Sequence, residues 1–347
     1  MSPILGQFQR TRKAASSLAM ASGDKRNQVL ASLADLIVAN SHIILEENQR
    51  DISQMASDHP MRDRLLLTEE RLSVLAESVI SVTQLPDPSG QVLSHKTLAN
   101  GLELSKITVP LGVVGVIFES RPNVTIDVAA LCIRSGNAVV LRGGSDAYFT
   151  NTILVKLIHL ALEKHGFSTD LVYLMPTDRA HVTTLLTAVN YIDVLIPRGS
   201  EALIQRVRKE SLVPTIETGA GVCHTFVAAS ADLLMAVAIV VNAKVSRPSV
   251  CNSLDTIVLH QSIAEEFLRL VASSLQEYSV KIYADISAYA TLKQVGYPYL
   301  EHAAESDFGR EFLDFACSIK VVKDLTEAIE HISTYSSRHS EAIVSND

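Results

Sequence analysis

Over the first ninety residues, apolar and polar positions alternate at helical spacing. In QVLASLADLIVANSHIILEENQRDI, residues 28–52, apolar residues recur three and four apart, with Asn and Asp punctuating the ends. The stretch before it carries basic residues but neither a sustained apolar run nor a cleavage site. It reads as an amphipathic helix, not a signal peptide. TEERLSVLAESVISVTQL predicts another helix, capped by Thr68 with Arg71 in its first turn and broken by Pro86, Asp87, Pro88, Ser89 and Gly90. The pattern then changes. GLELSKITVPLGVVGVIF alternates and then runs apolar, as a hairpin feeding a buried strand does.

Alternating units follow: helix 124–134, strand 138–141, helix 147–165, strand 171–174, helix 179–189, strand 192–196 and a helix from Glu201. A second block begins near Thr225, with a helix through 231–245, a strand at 256–259 and a helix at 263–278. It continues through 318–322 and 325–335 and ends in EAIVSND. This alternation predicts an α/β fold with a doubly wound parallel sheet, which takes ligands at the carboxyl ends of its strands.

At 347 residues the chain has the length of about two domains of roughly 150 residues each, with the break placed near residue 222. Apolar residues at 47% and charged residues at 20% describe a folded chain and exclude disorder. A net charge of −8 without a Lys/Arg run argues against nucleic acid as a partner. The longest apolar run, LLMAVAIVV at 233–241, is far short of the roughly 20 residues of a membrane span and is expected to be a buried helix. The four cysteines are scattered, and neither CxxC nor HExxH occurs, so no disulfide framework and no metal site is expected. A cytoplasmic location is the expectation.

Three segments carry candidate chemistry. In VVLRGGSDA, residues 139–147, Gly143 and Gly144 would let backbone approach an anion, Arg142 adds a cation, and Ser145 or Asp146 can cap the next helix. An ordinary tight turn explains the pattern equally well, and no GxGxxG fingerprint is present. LIPRGSEAL repeats the shape with Pro197, Arg198, Gly199 and Ser200. Two such turns in one sheet favour a phosphate-bearing cofactor more than either alone. In NAKVSRPSVCNSLDT, Cys251 sits in a polar loop with Lys244 and Arg247, where cations and loop amides can activate a thiol. Cys132 and Cys317 lie in apolar surroundings and read as core thiols. Cys223 adjoins His224, but neighbours in an extended segment point to opposite faces, which argues against a direct pair. Glu217 is a general base or simply a carboxylate at a turn, and its residues leave the two readings open.

PLGVVGVIFESRPNVTIDVAALCIRSGNAVVLRGGSDA, IPRGS and NAKVSRPSVCN resemble the gamma-glutamyl phosphate reductases, a branch of the aldehyde dehydrogenase superfamily. The resemblance runs from the N-terminal helices to Asp347. It implies a cofactor domain over 1–222 with an oligomerisation hairpin at about 94–110, and a catalytic domain over 223–347. It also implies reduction of L-glutamyl 5-phosphate by NADPH to glutamate 5-semialdehyde and phosphate, the second step of proline synthesis from glutamate. Cys251 then matches the nucleophile that forms a thioester, and Asn123 the oxyanion amide. Arg142, Gly143, Gly144 and Ser145 fall at the adenosine ribose, where a cation favours NADP. Pro197, Arg198, Gly199 and Ser200 fall near the pyrophosphate. Glu217 occupies the superfamily's general-base position, which an enzyme with phosphate as acyl acceptor does not need. Arg121, Lys244 and Arg247 are the candidate grips on the acyl phosphate. A homo-oligomer and a glutamate 5-kinase are the macromolecular partners implied.

Family members continue for several tens of residues beyond a segment like 339–344, with a VNASTRF-type motif at the substrate pocket and a strand that joins the oligomerisation sheet. Nothing in this sequence matches either. The expectation is weakened substrate binding, a hairpin without its partner strand, and cofactor binding that survives better than turnover. Two other functions stay open: a CoA-acylating aldehyde dehydrogenase, and a catalytically impaired form acting as a structural or binding partner.

Overall fold

The computed structural model describes residues 3–56, 62–119, 121–178, 180–217 and 221–347. The chain divides into two compact units, Met1–Thr218 and Gly219–Asp347.

The first unit opens with helices α1 (Pro3–Ala19), α2 (Gly23–Ala39), α3 (Ser41–Ser53), α4 (Arg62–Leu65) and α5 (Glu69–Gln84). The helical pattern over 28–52 is two helices, not one. Asn40 leaves helical geometry at φ −112°, turns its side-chain amide onto the Leu36 carbonyl, and the axes of α2 and α3 bend by 71° there. Thr68 caps α5 as expected, accepting the Arg71 N–H. Among the described residues no single helix is long and apolar enough to cross a membrane.

The hairpin β1 (Val92–Thr97) and β2 (Glu103–Ile107) is antiparallel, exposed along its whole length and a sheet of its own. The rest of the unit alternates: β3 (Val113–Phe118), α6 (Asn123–Arg134), β4 (Ala138–Arg142), α7 (Tyr148–Lys164), β5 (Val172–Leu174), α8 (Ala180–Leu186), β6 (Val194–Arg198) and α9 (Glu201–Glu210). Helix α8 is shorter than the 179–189 expected, and Arg179 lies outside the described residues. The four later strands form a parallel sheet in the order β5-β4-β3-β6. Unbroken apolar runs such as VVGVIF in β3 arise because helices cover both faces of such a sheet.

The second unit runs β7 (His224–Val227), α10 (Leu233–Val245), β8 (Thr256–His260), α11 (Gln261–Glu277), β9 (Lys281–Ala284), α12 (Ile286–Gln294), β10 (Leu300–His302), β11 (Ala316–Val322), α13 (Leu325–Tyr335) and β12 (Glu341–Val344). Its six strands are all parallel, in the order β10-β9-β11-β8-β7-β12. Helix α10 is apolar all round, yet it buries only the face of Ala236, Val240 and Lys244. Leu234 is 73% exposed, so the expectation of a fully buried helix is corrected.

Candidate active site

Cys251 lies in a turn between α10 and β8, with the residue exposed. The Val250 N–H donates to the Arg247 carbonyl and the Ser253 N–H to the Val250 carbonyl, and the Leu254 N–H ties the segment back to Ala243 of α10. The other three thiols are buried. Cys132 and Cys317 are core residues whose thiols burial pushes up to about 12, as expected of inert cysteines.

Strand order decides what surrounds the nucleophile candidate. β8, β7 and β12 are neighbours, so the segments that enter their amino ends lie side by side: the Cys251 turn, the segment at Gly221–Cys223, and the loop 336–340. Cys251 therefore sits at the amino edge of its sheet. Gly221 packs against the Cys251 backbone so closely that a Cβ would overlap the Cys251 carbonyl. The Cys223 thiol contacts that same carbonyl at 3.2 Å. His224 does not pair with Cys223. Its ring is buried, with Nδ1 3.2 Å from the Glu341 carboxylate, which also accepts the His224 backbone N–H at 2.9 Å. A cavity of about 350 Å³ is lined in part by Ser336, Arg338, His339 and Glu341.

Asp255 anchors these segments. Its carboxylate accepts the N–H groups of Cys223 and Phe312, and burial raises it to about 6, against the lowering effect of those bonds and of the Lys244 charge. Lys244 is fully buried and donates to the Ala316 carbonyl at 2.9 Å. Burial lowers its pKa. It is a cross-link between α10 and β11 rather than a hand held out to a ligand, whereas Arg247 is exposed within the Cys251 turn.

The first unit collects the other candidates at the carboxyl edge of its sheet. Its strand order runs outward from β3 in both directions, to β4 and β5 on one side and β6 on the other, so the ends of β3 and β6 flank a switch point where such sheets take dinucleotides. Arg198 ends β6, and Ser200 caps α9 by accepting the Leu203 N–H. The Ser200 N–H is itself accepted by the Glu119 carboxylate at 2.8 Å. Asn123 opens α6 and spends one amide N–H on Asp127 at 3.0 Å. The carbonyl of Arg121 accepts the Val124 N–H. Arg142 ends β4 and donates to the Thr177 carbonyl at 2.8 Å.

Two details of that edge differ from expectation. Neither Ser145 nor Asp146 caps α7, because a short 3₁₀ turn over Ser145–Ala147 intervenes. The first amides of α7, on Phe149 and Thr150, are accepted instead by Asp51 from α3. Gly143 is required by internal packing: a Cβ there would run into Asn151 and the Phe118 ring. Glu217 forms an ion pair with Arg208 at 3.2 Å within the same unit.

The aldehyde dehydrogenase family model matches residues 6–290. The gamma-glutamyl phosphate reductase of Chlorobium chlorochromatii (strain CaD3) is 49% identical over 345 residues, 99% of this chain and 82% of that protein. This chain belongs to the gamma-glutamyl phosphate reductase family. The enzyme of the same name from Bacteroides fragilis (strain YCH46) is 44% identical over 98% of the chain and 82% of its own length. The crystal structure of the Thermotoga maritima gamma-glutamyl phosphate reductase superposes with a TM-score of 0.90 at 35% identity, over 99% of this chain and 83% of that one. A probable aldehyde dehydrogenase from Listeria monocytogenes EGD-e, at 16% identity and a TM-score of 0.71, shares the fold.

Membership brings a nicotinamide cofactor, and the switch-point edge of the first unit fits one: cations at Arg142 and Arg198 and hydroxyls at Ser145 and Ser200 suit a phosphate-bearing dinucleotide. The residues that reading along the chain passed over are Asp255, His339 and Glu341, and with them the contact of Cys223 to Cys251. Only the order of strands brings them to the cysteine turn.

Proposed function

We propose that this chain reduces L-glutamyl 5-phosphate to L-glutamate 5-semialdehyde and phosphate, with NADPH as reductant and Cys251 as nucleophile. The observation that carries the reading is the contrast among the cysteines: one lies exposed in a turn at the amino edge of a parallel sheet, and the other three are buried. The chain's membership of the reductase family gives that thiol its substrate class.

The Cys251 thiolate attacks the acyl carbon, the carbon–oxygen bond to phosphate breaks, and inorganic phosphate leaves a thioester on Cys251. Both this step and the next pass through an oxyanion. The Cys251 backbone N–H is the donor the turn supplies, and Asn123 is the side-chain amide that family resemblance implies for the same role. A bound nicotinamide cofactor supplies the hydride that reduces the thioester. The resulting thiohemiacetal on Cys251 releases free aldehyde as the carbon–sulfur bond breaks and the thiolate is restored. No water need be activated, so the pairing of Glu217 with Arg208 costs the reaction nothing. Arg247, and Arg338 in the neighbouring loop, supply positive charge for the phosphate. Residues 1–222 act as the cofactor domain, residues 223–347 as the catalytic one, and the exposed hairpin as an oligomer contact.

The test is reduction of NADP⁺ by glutamate semialdehyde, with and without phosphate, for the wild type and Cys251→Ala. The expected result is phosphate-dependent turnover that the variant abolishes. Turnover that requires CoA in place of phosphate, or that persists in the variant, overturns the reading.

A further inference from the structure

Of the three buried thiols that the mechanism above leaves unused, that of Cys223 touches the Cys251 turn. The residue is 3% exposed, and burial, with the Asp255 and Glu341 carboxylates adding to it, pushes the thiol up to about 12. It therefore remains S–H at working pH, a hydrogen-bond donor and not a second nucleophile.

Three acceptors surround that proton. The Cys251 carbonyl lies at 3.2 Å, the Gly221 carbonyl at 3.6 Å and His339 Nδ1 at 3.9 Å. Hydrogen bonds from sulfur are long and fall off with distance, so the shortest of the three takes the proton. The support behind the sulfur is rigid. The Cys223 N–H is held by the Asp255 carboxylate, and its carbonyl accepts the N–H groups of both Asp255 and Thr256 at 3.0 Å. Cys251 is the opposite case. Its side chain is exposed, and among the described residues the bond from Cys223 is the only hydrogen bond it makes.

The geometry points to Cys223 as a positioning residue for the nucleophile: its S–H holds the Cys251 carbonyl, and with it the stretch of turn backbone from which the Cys251 side chain and N–H project. A thiolate and an oxyanion donor carried on one turn meet the acyl group together only if that turn is held in place, so one weak bond at this carbonyl is enough to affect the rate. This inference rests on the reading of Cys251 as nucleophile.

The test compares Cys223→Ala and Cys223→Val, which remove the donor with and without loss of volume, against Cys223→Ser, which keeps a donor. The measurements are the rate of Cys251 alkylation by iodoacetamide across pH, kcat and KM in the phosphate-dependent assay, and Tm. Both donor-less variants are expected to lose about fivefold in kcat, the scale of one weak hydrogen bond. Their alkylation profiles move with it, while KM stays near the wild-type value. Cys223→Ser recovers kcat to within about twofold. Wild-type kcat and alkylation in both donor-less variants overturns the inference, and so does an equal loss in all three, which marks a packing role. The alkylation measurement needs no substrate. It decides the role of Cys223 even where wild-type turnover fails, a result that counts against the reductase reading alone.

Discussion

At the scale of single residues, Arg142 and Lys244 show how one charge type divides into two roles. Lys244 closes the last turn of α10 and reads along the chain as a candidate grip on the acyl phosphate, yet its ammonium is fully buried on the Ala316 carbonyl, 72 positions away. Nothing local to Lys244 signals that partner. Cys251 was legible because its signal is local: a cysteine among cations and polar residues, between an apolar helix and a strand. Arg142 lies between these cases. Its place at the end of a buried strand was readable, and its bond to the Thr177 carbonyl was not. If Arg142 contacts the 2′-phosphate of the cofactor, Arg142→Met removes a charge-assisted contact of about 1.5–3 kcal/mol, which is roughly 10- to 100-fold. The KM for NADPH should rise on that scale while the KM for NADH changes less than about threefold. Equal changes in both constants would show that Arg142 acts only as a strut for Thr177.

Among elements, the long ones were readable, while of the short ones β5 was and several others were not. α5, α7 and α11 carry enough repeats of the helical spacing to stand out, and β3 and β4 are unbroken apolar runs. β7, β9 and β10 have three or four residues each, too few to show a period, and α12 was lost between two of them. Helix ends were harder still, because a cap can come from far along the chain. The Asp51 carboxylate accepts the N–H of Phe149 at 3.1 Å, the N–H of Thr150 at 2.8 Å and the Thr150 hydroxyl at 2.6 Å. Burial raises its pKa against the lowering effect of those bonds. Asp51→Ala strands two helix amides and a buried hydroxyl at once. The expected cost is about 2 kcal/mol of unfolding free energy in the first unit, above the roughly 1 kcal/mol of a surface cap. Denaturant unfolding measures it. A loss below about 0.5 kcal/mol would mean that water replaces the carboxylate at the α7 terminus.

For the molecule as a whole, the order of strands was the part the sequence could not express, because pairing is set by packing between segments distant along the chain. That order places β12 against β7, and so brings Glu341 onto the buried His224, whose ring meets the buried His331 of α13, in the same unit as Asp255. Two of these residues titrate in opposite senses. Burial raises Asp255 from 3.8 to about 6, with Glu311 raising it further and Lys244 opposing. The folded chain therefore holds a proton that the unfolded chain has released, and the stability Asp255 contributes falls as pH climbs from about 4 to about 6. His331 is lowered from 6.5 to about 4 by burial, with the His224 and Lys320 charges adding to it and Glu327 opposing. There the unfolded chain binds the extra proton, so stability rises as pH climbs from about 4 to about 6.5. Each displacement is worth on the order of 3 kcal/mol, and over the shared window the two largely cancel. The unfolding free energy of the second unit, followed by hydrogen exchange of β8 amides, should be insensitive to these two groups in the wild type. Asp255→Asn leaves His331 unopposed and should make stability climb with pH across that window. His331→Phe should make it fall. Parallel profiles for all three proteins would show that neither proton is held differently in the folded and unfolded chain.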